Sequence, residues 1–450
     1  MRLWKLWFQL SGRVSRRDYL LSGIALVALK YALDVALVYA TARQLWTPLD
    51  YLNPLISARK QASGEAPSWT LLSMGAFAIP FLWIGVSMTL RRCVDAGLSP
   101  WFALAFFLPL LNWLWMAALC LLATSPRVAL PSRAEATAPE DAVRAALVGT
   151  AAGLGVALVM GALHLGLLKS YGAAMFLGTP FTMSSVAGFL FNRRTARSPG
   201  ATVNVALLTL LLAAGGMLVF AFEGGVCLLM AAPLVIAVGA LGGLLGRAIA
   251  LHHTSSWLSA GSALLLLPLG ATLEARLPQQ PALREVASSV EIDAPPALVW
   301  PHVLQFRELT SAPELIFRMG IAYPVRARIE GQGVGAVRRC EFSTGAFVEP
   351  ITAWEAPTRL AFEVTAQPPP LREWSPYGDV QPPHLAATLQ SKRGEFRLVA
   401  LPGGRTRLEG STWYTLEMAP LLYWAPWSDW LIHRIHLRVL EHVKAEAERS

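Results

Sequence analysis

Charge is scarce in this 450-residue chain. Asp, Glu, Lys and Arg make up 15% of it, against about 25% in an ordinary soluble domain. With hydrophobic residues at 54%, that deficit points to a membrane. Cysteine is scarce as well. Cys93, Cys120, Cys227 and Cys340 are the four present, and none forms a CxxC pair, so neither a disulfide framework nor a thiolate metal site is expected. The sequence also lacks a glycine-rich nucleotide loop, an HExxH pair and a nucleophile elbow. No catalytic residue and no cofactor is therefore assigned.

The charges that are present divide sharply. From Arg276 onward there are 19 basic and 19 acidic residues, so the whole +9 excess of 38 over 29 falls before that point. Basic residues between apolar runs mark membrane loops and anionic headgroups. Because they form no single patch, nucleic acid is not expected as a partner. The N-terminus sets Trp4, Trp7 and Phe8 among Arg2, Lys5, Arg13, Arg16 and Arg17, a composition suited to the headgroup layer. No small-residue cleavage site follows the first apolar run, so an uncleaved first span is expected.

Apolar runs of about 20 residues, the length that crosses a bilayer, then recur. They are Tyr19–Ala40, Trp69–Leu90, Trp101–Thr124, Ala145–Leu168, Gly172–Phe191, Val203–Phe222, Gly225–Gly246 and Trp257–Thr272. The fifth is interrupted by Gly178-Thr-Pro180, which would suit a broken or re-entrant helix. Lys30 and Asp34 stand four apart, where they pair on one helix face. Gly242 and Gly246 form a GxxxG spacing that suits helix–helix association. Glu223 falls at a turn between spans and reads as a loop charge in water. His164, His252 and His253 are scattered and suggest no metal site.

Two tracts carry a resemblance. They are Gly12-Arg13-Val-Ser-Arg16-Arg-Asp-Tyr19 and Arg91-Arg92-Cys-Val-Asp95-Ala-Gly97-Leu-Ser99-Pro-Trp101, the latter followed by Leu108-Pro109-Leu-Leu-Asn-Trp113. Together they resemble the YhaH-like family of small bacterial inner-membrane domains, whose function is unknown. Val94 stands where that family usually has histidine, and Asn112 where glycine is common. Read without the family, Arg91, Arg92 and Asp95 end one span and Gly97 allows a tight turn, a hairpin held by an ion pair. The expected organisation is a YhaH-like membrane domain over 1–125 with about three spans, a linker over 126–144, a second membrane block over 145–275 with about five, and a soluble domain over 276–450. The basic N-terminus and Arg91/Arg92 place the N-terminus in the cytoplasm. If all eight runs cross, the C-terminal domain is cytoplasmic too, but Arg193, Arg194 and Arg197 then fall outside. A re-entrant segment earlier in the chain would repair this and move the C-terminal domain to the periplasm.

The soluble part opens on Ser289–Trp300. Val290 and Ile292 alternate with Glu291 and Asp293, the period of a half-buried strand, and Asp293 before Ala-Pro-Pro is expected to cap a helix. A short helical stretch around Leu309 to Met319 follows. Strands are expected at Ala336–Ser343, Phe347–Trp354, Arg359–Thr365, Glu395–Ala400 and Thr406–Leu416, and a long helix over Pro426 to Glu448. That order, with Val290-Glu-Ile-Asp-Ala-Pro-Pro-Ala-Leu-Val-Trp300, Gly331-Gln-Gly-Val-Gly335 and the Trp-rich last helix, resembles the START-like and polyketide-cyclase (SRPBCC) superfamily. The resemblance implies a helix-grip fold, a curved antiparallel sheet wrapped on a long C-terminal helix, enclosing a cavity for an apolar molecule.

Alternation puts Arg338, Cys340 and Phe342 on one face, Phe347, Glu349 and Ile351 on the facing strand, and Tyr414 inward with Leu408, Thr412 and Leu416. Arg338 and Glu349 should pair or meet a polar ligand group. Ile432, Ile435, Val439 and Val443 define the buried stripe of the last helix. Arg338, Phe342, Glu349, Tyr414, Trp430 and His436 are the ligand-cavity candidates. Asp429, His433 and His436 lie on one flank and could hold a metal, although one flank of one helix rarely encloses an ion. A hydrogen bond from His433 to Asp429 is the plainer expectation. Gln367–His384 is a proline-rich excursion suited to a lid or partner contact. The expected function is an inner-membrane, multi-pass protein whose soluble domain binds a lipid or other apolar small molecule near the bilayer. The alternatives are a cyclase, dehydratase or hydrolase in the same cavity, a transporter with a regulatory soluble domain, or a scaffold.

Overall fold

A computed structural model describes residues 3–51 except 11, then 67–107, 111–125, 139–168, 171–252, 266–276 and 281–449 except 310, 379, 381 and 383. The chain forms two compact units. One comprises Met1–Gly216 with Ala231–Pro278, the other Met217–Met230 with Gln279–Ser450.

Among the described residues six helices are long and apolar enough to cross a membrane: α1 (Arg16–Ala42), α2 (Ser73–Asp95), α3 (Asp141–His164), α4 (Ala174–Asn192), α5 (Pro199–Val219) and α6 (Gly225–His252). The chain is thus a multi-span α-helical membrane protein. The count differs from eight in two places. Within the third apolar run the described residues form a 3-10 helix, Pro100–Phe107, and an eleven-residue helix, Leu111–Leu121, neither of bilayer length, and residues 108–110 lie outside the described residues. The eighth run is described only at its end, as the helix Leu266–Arg276; residues 253–265, with His253, lie outside the described residues, as do residues 126–138 of the linker. The interrupted fifth run stays helical, its first turn a π-helix from Ala174 to Gly178. The Glu274 carboxylate accepts from the part-buried Ala173 and Ala174 amides there, at 2.6 and 2.9 Å.

The buried charges described in this unit, Asp34, Arg91, Arg92 and Asp95, all have partners. Ser15 caps α1 by accepting from the Asp18 amide, and Lys30 pairs with the fully buried Asp34. At the end of α2, Arg92 donates from Nη1 to Asp95 Oδ2 at 2.5 Å, from Nε to the Leu119 carbonyl at 3.0 Å and from Nη2 to that of Leu122. Thr124 donates to the same Asp95 oxygen at 2.8 Å. Gly97 turns the chain at φ +74°, a conformation that favours glycine. The Arg-Arg-x-x-Asp-x-Gly tract is therefore a clasp on the carbonyls of the next helix end. Gly242 and Gly246 meet the chain's own α4: a Cβ on them would lie 2.3 Å from the Phe181 carbonyl oxygen and 2.0 Å from that of Ser185. Only glycine permits that backbone approach.

The second unit is built on a seven-stranded antiparallel sheet in the order β1-β7-β6-β5-β4-β3-β2. The strands are β1 (Arg284–Ile292), β2 (Pro324–Glu330), β3 (Val337–Phe342), β4 (Gly345–Glu355), β5 (Arg359–Glu363), β6 (Leu389–Leu401) and β7 (Arg405–Leu416). β1 and β2 are consecutive in sequence yet occupy opposite ends of the sheet. The helices α7 (Pro296–Leu304) and Leu315–Arg318 bridge them. The long C-terminal helix α8 (Leu421–Ala447) lies on β1 and β7. This is a helix-grip fold.

Its core joins Ile292, Val299, Leu360, Leu408, Leu440 and Val443, all fully buried. Val439 and Val443 face it as expected and Ile432 is buried outside it, whereas Ile435 turns to a separate cluster with Phe317 and Val226. Asp293 does not cap α7. Pro295 holds the cap position without a side-chain bond, and the Asp293 amide instead donates to Glu448 at 2.9 Å. A Pro-Pro pair makes this cap dispensable, since proline pre-sets the helical φ and removes an orphan N–H. β2 was absent from the expected strands although its Pro-Val-Arg-Ala-Arg-Ile-Glu alternates. Its turn, with Gly331, Gly333 and Gly335 all at positive φ, is the stronger sequence signal.

Candidate functional site

The hairpin turn at Ser343-Thr344 fixes the register that sets Arg338 directly opposite Glu349. Both point inward, 2% and 6% exposed, and Arg338 Nη1 donates to Glu349 Oε2. The guanidinium is enclosed by the rings of Phe306, Phe362 and Phe396, whose centroids lie 5.5 to 5.7 Å from its carbon. Desolvation pushes the Glu349 carboxyl up, and Arg338 opposes that rise. Phe342 is half-buried beside Phe347, with centroids 4.7 Å apart. These residues form a packed layer.

A second polar group lies where α8 crosses β1 and β7. The buried Tyr414 hydroxyl donates to Asp429 Oδ1 at 2.6 Å, and Arg284 donates to the Tyr414 oxygen at 3.1 Å and to Asp429 Oδ2 at 2.6 Å. Asp429 is thus held by Arg284 and Tyr414 and not by His433. The two histidines meet on Ser288, whose Oγ is 2.7 Å from His433 Nδ1 and 3.0 Å from His436 Nδ1. Thr412 Oγ1 is 2.7 Å from His436 Nε2. One hydroxyl carries one proton, so Ser288 donates to one ring and accepts from the other. Burial, with His433 alongside, pushes His436 down to about 4; burial and the neighbouring Asp429 push Tyr414 up. Both stay neutral near pH 7, each bonded within the fold. Asp429 is therefore turned to Arg284 and Tyr414, away from the two histidines that share Ser288, and the three do not converge on one point.

Trp430 is not with this layer. It is 44% exposed and, with Leu422, Tyr423, Pro426 and Trp427, lines an open groove of about 540 Å³ along the first half of α8. Trp427 and Trp430 meet edge to face at 6.1 Å. A second open depression, near 530 Å³, is lined by Arg372, Glu373, Trp374, Ser375 and Gly378. Neither lies between the sheet and α8.

Sequence reasoning missed a third group. Glu223 is 6% exposed, contrary to the solvated loop charge expected, because the turn that carries it packs within the second unit. His384 Nδ1 lies 3.7 Å from its carboxylate, and Cys227 Sγ lies 3.3 Å from His384 Nε2. Glu373, also buried, accepts from the Val226 amide at 2.9 Å and the Cys227 amide at 3.3 Å, capping α6. The excursion that supplies Glu373 and His384 is thus pinned, its Trp374 carbonyl accepting from the Gly225 amide at 2.8 Å. Burial and the neighbouring Glu373 push Glu223 up to about 8, and burial draws His384 down to about 4. Glu223 and Cys227 are four apart, but nothing local points from them to His384.

Residues 284–448 match the family model described as polyketide cyclase / dehydrase and lipid transport. Residues 7–129 match one described as a protein of unknown function, DUF805. The chain therefore joins a DUF805 membrane domain to a polyketide-cyclase-like (SRPBCC) domain. Among solved structures, the Zhui aromatase/cyclase from Streptomyces sp. R1128 is 17% identical over 37% of this chain and 95% of its own, with a TM-score of 0.26. A protein from Nitrosospira multiformis is 18% identical over 36% and 95%, TM-score 0.23. Thalictrum flavum norcoclaurine synthase is 12% identical over 37% and 99%, TM-score 0.21. No curated protein matches the chain in sequence.

Two outcomes follow from the buried polar layer. Replacing Arg338 alone by Met strands the Glu349 carboxylate and should cost about 3–5 kcal/mol in denaturant unfolding, whereas Arg338→Met with Glu349→Leu should recover most of that loss. A neutral single variant would show that the pair does not hold the layer. His436, at about 4 in the fold against about 6.5 unfolded, contributes stability above pH 6.5 that is lost as pH falls through 4. The loss amounts to roughly 3 kcal/mol at pH 4. Thermal unfolding of His436→Gln should lack that share of the acid sensitivity.

Proposed function

We propose that this is a multi-pass inner-membrane protein whose helix-grip domain holds the apolar part of a lipid or similar amphipathic molecule in the aromatic groove of α8. The groove carries the reading. Its wall of Leu, Tyr, Pro and two Trp side chains is apolar, and its volume falls within the roughly 300–1,000 Å³ of small-molecule clefts. Trp and Tyr are also the residues that sit with one edge in hydrocarbon and one in the headgroup layer. In this reading the Arg338–Glu349 and His436 layer, with Phe342 and Tyr414, holds the groove's scaffold in shape, and Trp430 touches the ligand. The family description of polyketide cyclase / dehydrase and lipid transport is in keeping with a ligand of this class.

The six apolar helices among the described residues also bear on topology. With the N-terminus in the cytoplasm, Arg91 and Arg92 end α2 there, and the cluster Arg193, Arg194 and Arg197 after α4 returns to the same face. That satisfies the excess of basic residues on cytoplasmic loops, which eight crossings did not. The turn between α5 and α6 then lies on the periplasmic face. Glu373 and Tyr423 of the C-terminal domain bond to Val226 and Met230 beside that turn, which favours a periplasmic domain over the cytoplasmic expectation and requires one more crossing between α6 and β1, a stretch of which residues 253–265 lie outside the described residues.

Lipid retained by the full chain in mild detergent, measured by native mass spectrometry, should fall sharply in Trp427→Ala/Trp430→Ala. Two groove Trp side chains at about 2 kcal/mol for the pair correspond to roughly 30-fold in affinity. Equal retention by the variant would refute the groove. Alkaline phosphatase fused after Ser450 should be active and green fluorescent protein there dark; the reverse pattern would restore the cytoplasmic placement.

A further inference from the structure

The group around Glu223 has no task in the reading above. Glu223 stands in the turn before α6, Cys227 in the first turn of α6, and His384 opens the short helix His384–Ala387. One ligand-type atom from each lies within 4.8 Å of the other two. The three donors are an oxygen, a sulfur and a nitrogen, drawn from two stretches of chain far apart in sequence. Glu223 Oε1 is buried with no hydrogen-bond partner. A second carboxylate, Glu373, is buried beside it, and no Arg or Lys among the described ion pairs reaches either one. A carboxyl out of water either keeps its proton or meets a cation; the α6 N-terminus serves Glu373, while Glu223 Oε1 faces the thiol and the imidazole with no charged partner, which leaves it open to a metal ion.

We propose that Glu223, Cys227 and His384 bind a divalent cation of the Zn²⁺ class. Zn²⁺ takes thiolate, imidazole and carboxylate ligands at about 2.0–2.3 Å, so ligands on one tetrahedral ion lie about 3.2–3.8 Å apart, and the Sγ to Nε2 separation of 3.3 Å already meets this. The mixed soft and hard donors favour Zn²⁺ or Co²⁺ over Mg²⁺ or Ca²⁺, which take oxygen alone. Glu373, by accepting both the Val226 and Cys227 amides, fixes the backbone that presents the thiol, a positioning role outside the ligand set. Binding releases the Cys227 thiol proton to solvent. The three ligands leave a fourth position for water or a further donor.

The test uses the untagged full chain in detergent, stripped by a chelator and titrated with Co²⁺. One equivalent should bind with a thiolate-to-Co²⁺ charge-transfer band, and Zn²⁺ should displace it. The band should vanish in Cys227→Ser and persist in Cys340→Ser, with Glu223→Gln and His384→Ala weakening Co²⁺ at least tenfold. Because a ligand variant may unfold, the unmodified chain is also alkylated with and without Zn²⁺, and Cys227 should be protected at least tenfold by the metal. No charge-transfer band in the unmodified chain, a band that survives Cys227→Ser, or alkylation of Cys227 indifferent to Zn²⁺ would each overturn the site.

Discussion

A guanidinium and a carboxylate facing each other across β3 and β4 set the terms for what packs above the sheet. A strand slipped by one residue sends every side chain to the other face, so the Arg338–Glu349 pair and the aliphatic core stand or fall on one register. Slippage would push Cys340 and Ile351 into water and leave each charge opposite the wrong neighbour. Burying two charges is costly, and their attraction offsets that cost only when geometry and neighbours are right. The three Phe rings around Arg338 supply a face that its remaining N–H groups meet favourably. The pair therefore contributes uniqueness of register more than net stability.

The membrane unit obeys the same rule by other means. Hydrocarbon offers no water to an exposed carbonyl, and the ends of α2 and of the helix Leu111–Leu121 answer with Arg91 and Arg92. Arg91 donates to Ser87 and to the Leu6 carbonyl, and Arg92 to Leu119 and Leu122. Asp95 neutralises Arg92 and gathers Thr124 and the Ser125 amide as well. The tract that marks the DUF805 resemblance thus serves to close polar helix ends. Where helices must touch backbone to backbone, as at Gly188, Gly242 and Gly246, the side chain is simply absent.

Much of this was legible because it rests on period and spacing. Alternation located β1 and β3 to β7, the helical stripe located α8, and the Thr344-Gly345 turn signal was enough to set Arg338 against Glu349. What was hidden rests on contacts distant in sequence. The third apolar run has a span's composition, and hydropathy alone did not reveal that it opens as a 3-10 helix, Pro100–Phe107. Glu223 read as solvated because a turn between spans usually is. Only the return of the excursion bearing Glu373 and His384, some 150 positions later, buries it. Ser288 carried a usable sign, a hydroxyl on the inward face of β1 between Val286 and Val290, which implied an inward polar partner. His433 and His436 are that partner.

The long helix α8 explains why one element can serve both scaffold and binding surface. Around its N-terminal half almost every direction is apolar, and a helix of that kind must be covered on all sides or must meet something other than water. Trp424 and Ile432 are buried. Leu431 and Ile435 pack against Phe317 and the start of α6. The remaining direction, Tyr423, Pro426, Trp427 and Trp430, follows helical spacing as strictly as the other two, yet it forms the open wall of a groove. Solubility selects against such a stripe unless it has an occupant. In a chain whose described residues hold six apolar helices of bilayer length, the proposed amphipathic occupant would leave neither the Trp faces wet nor the indole N–H groups dry.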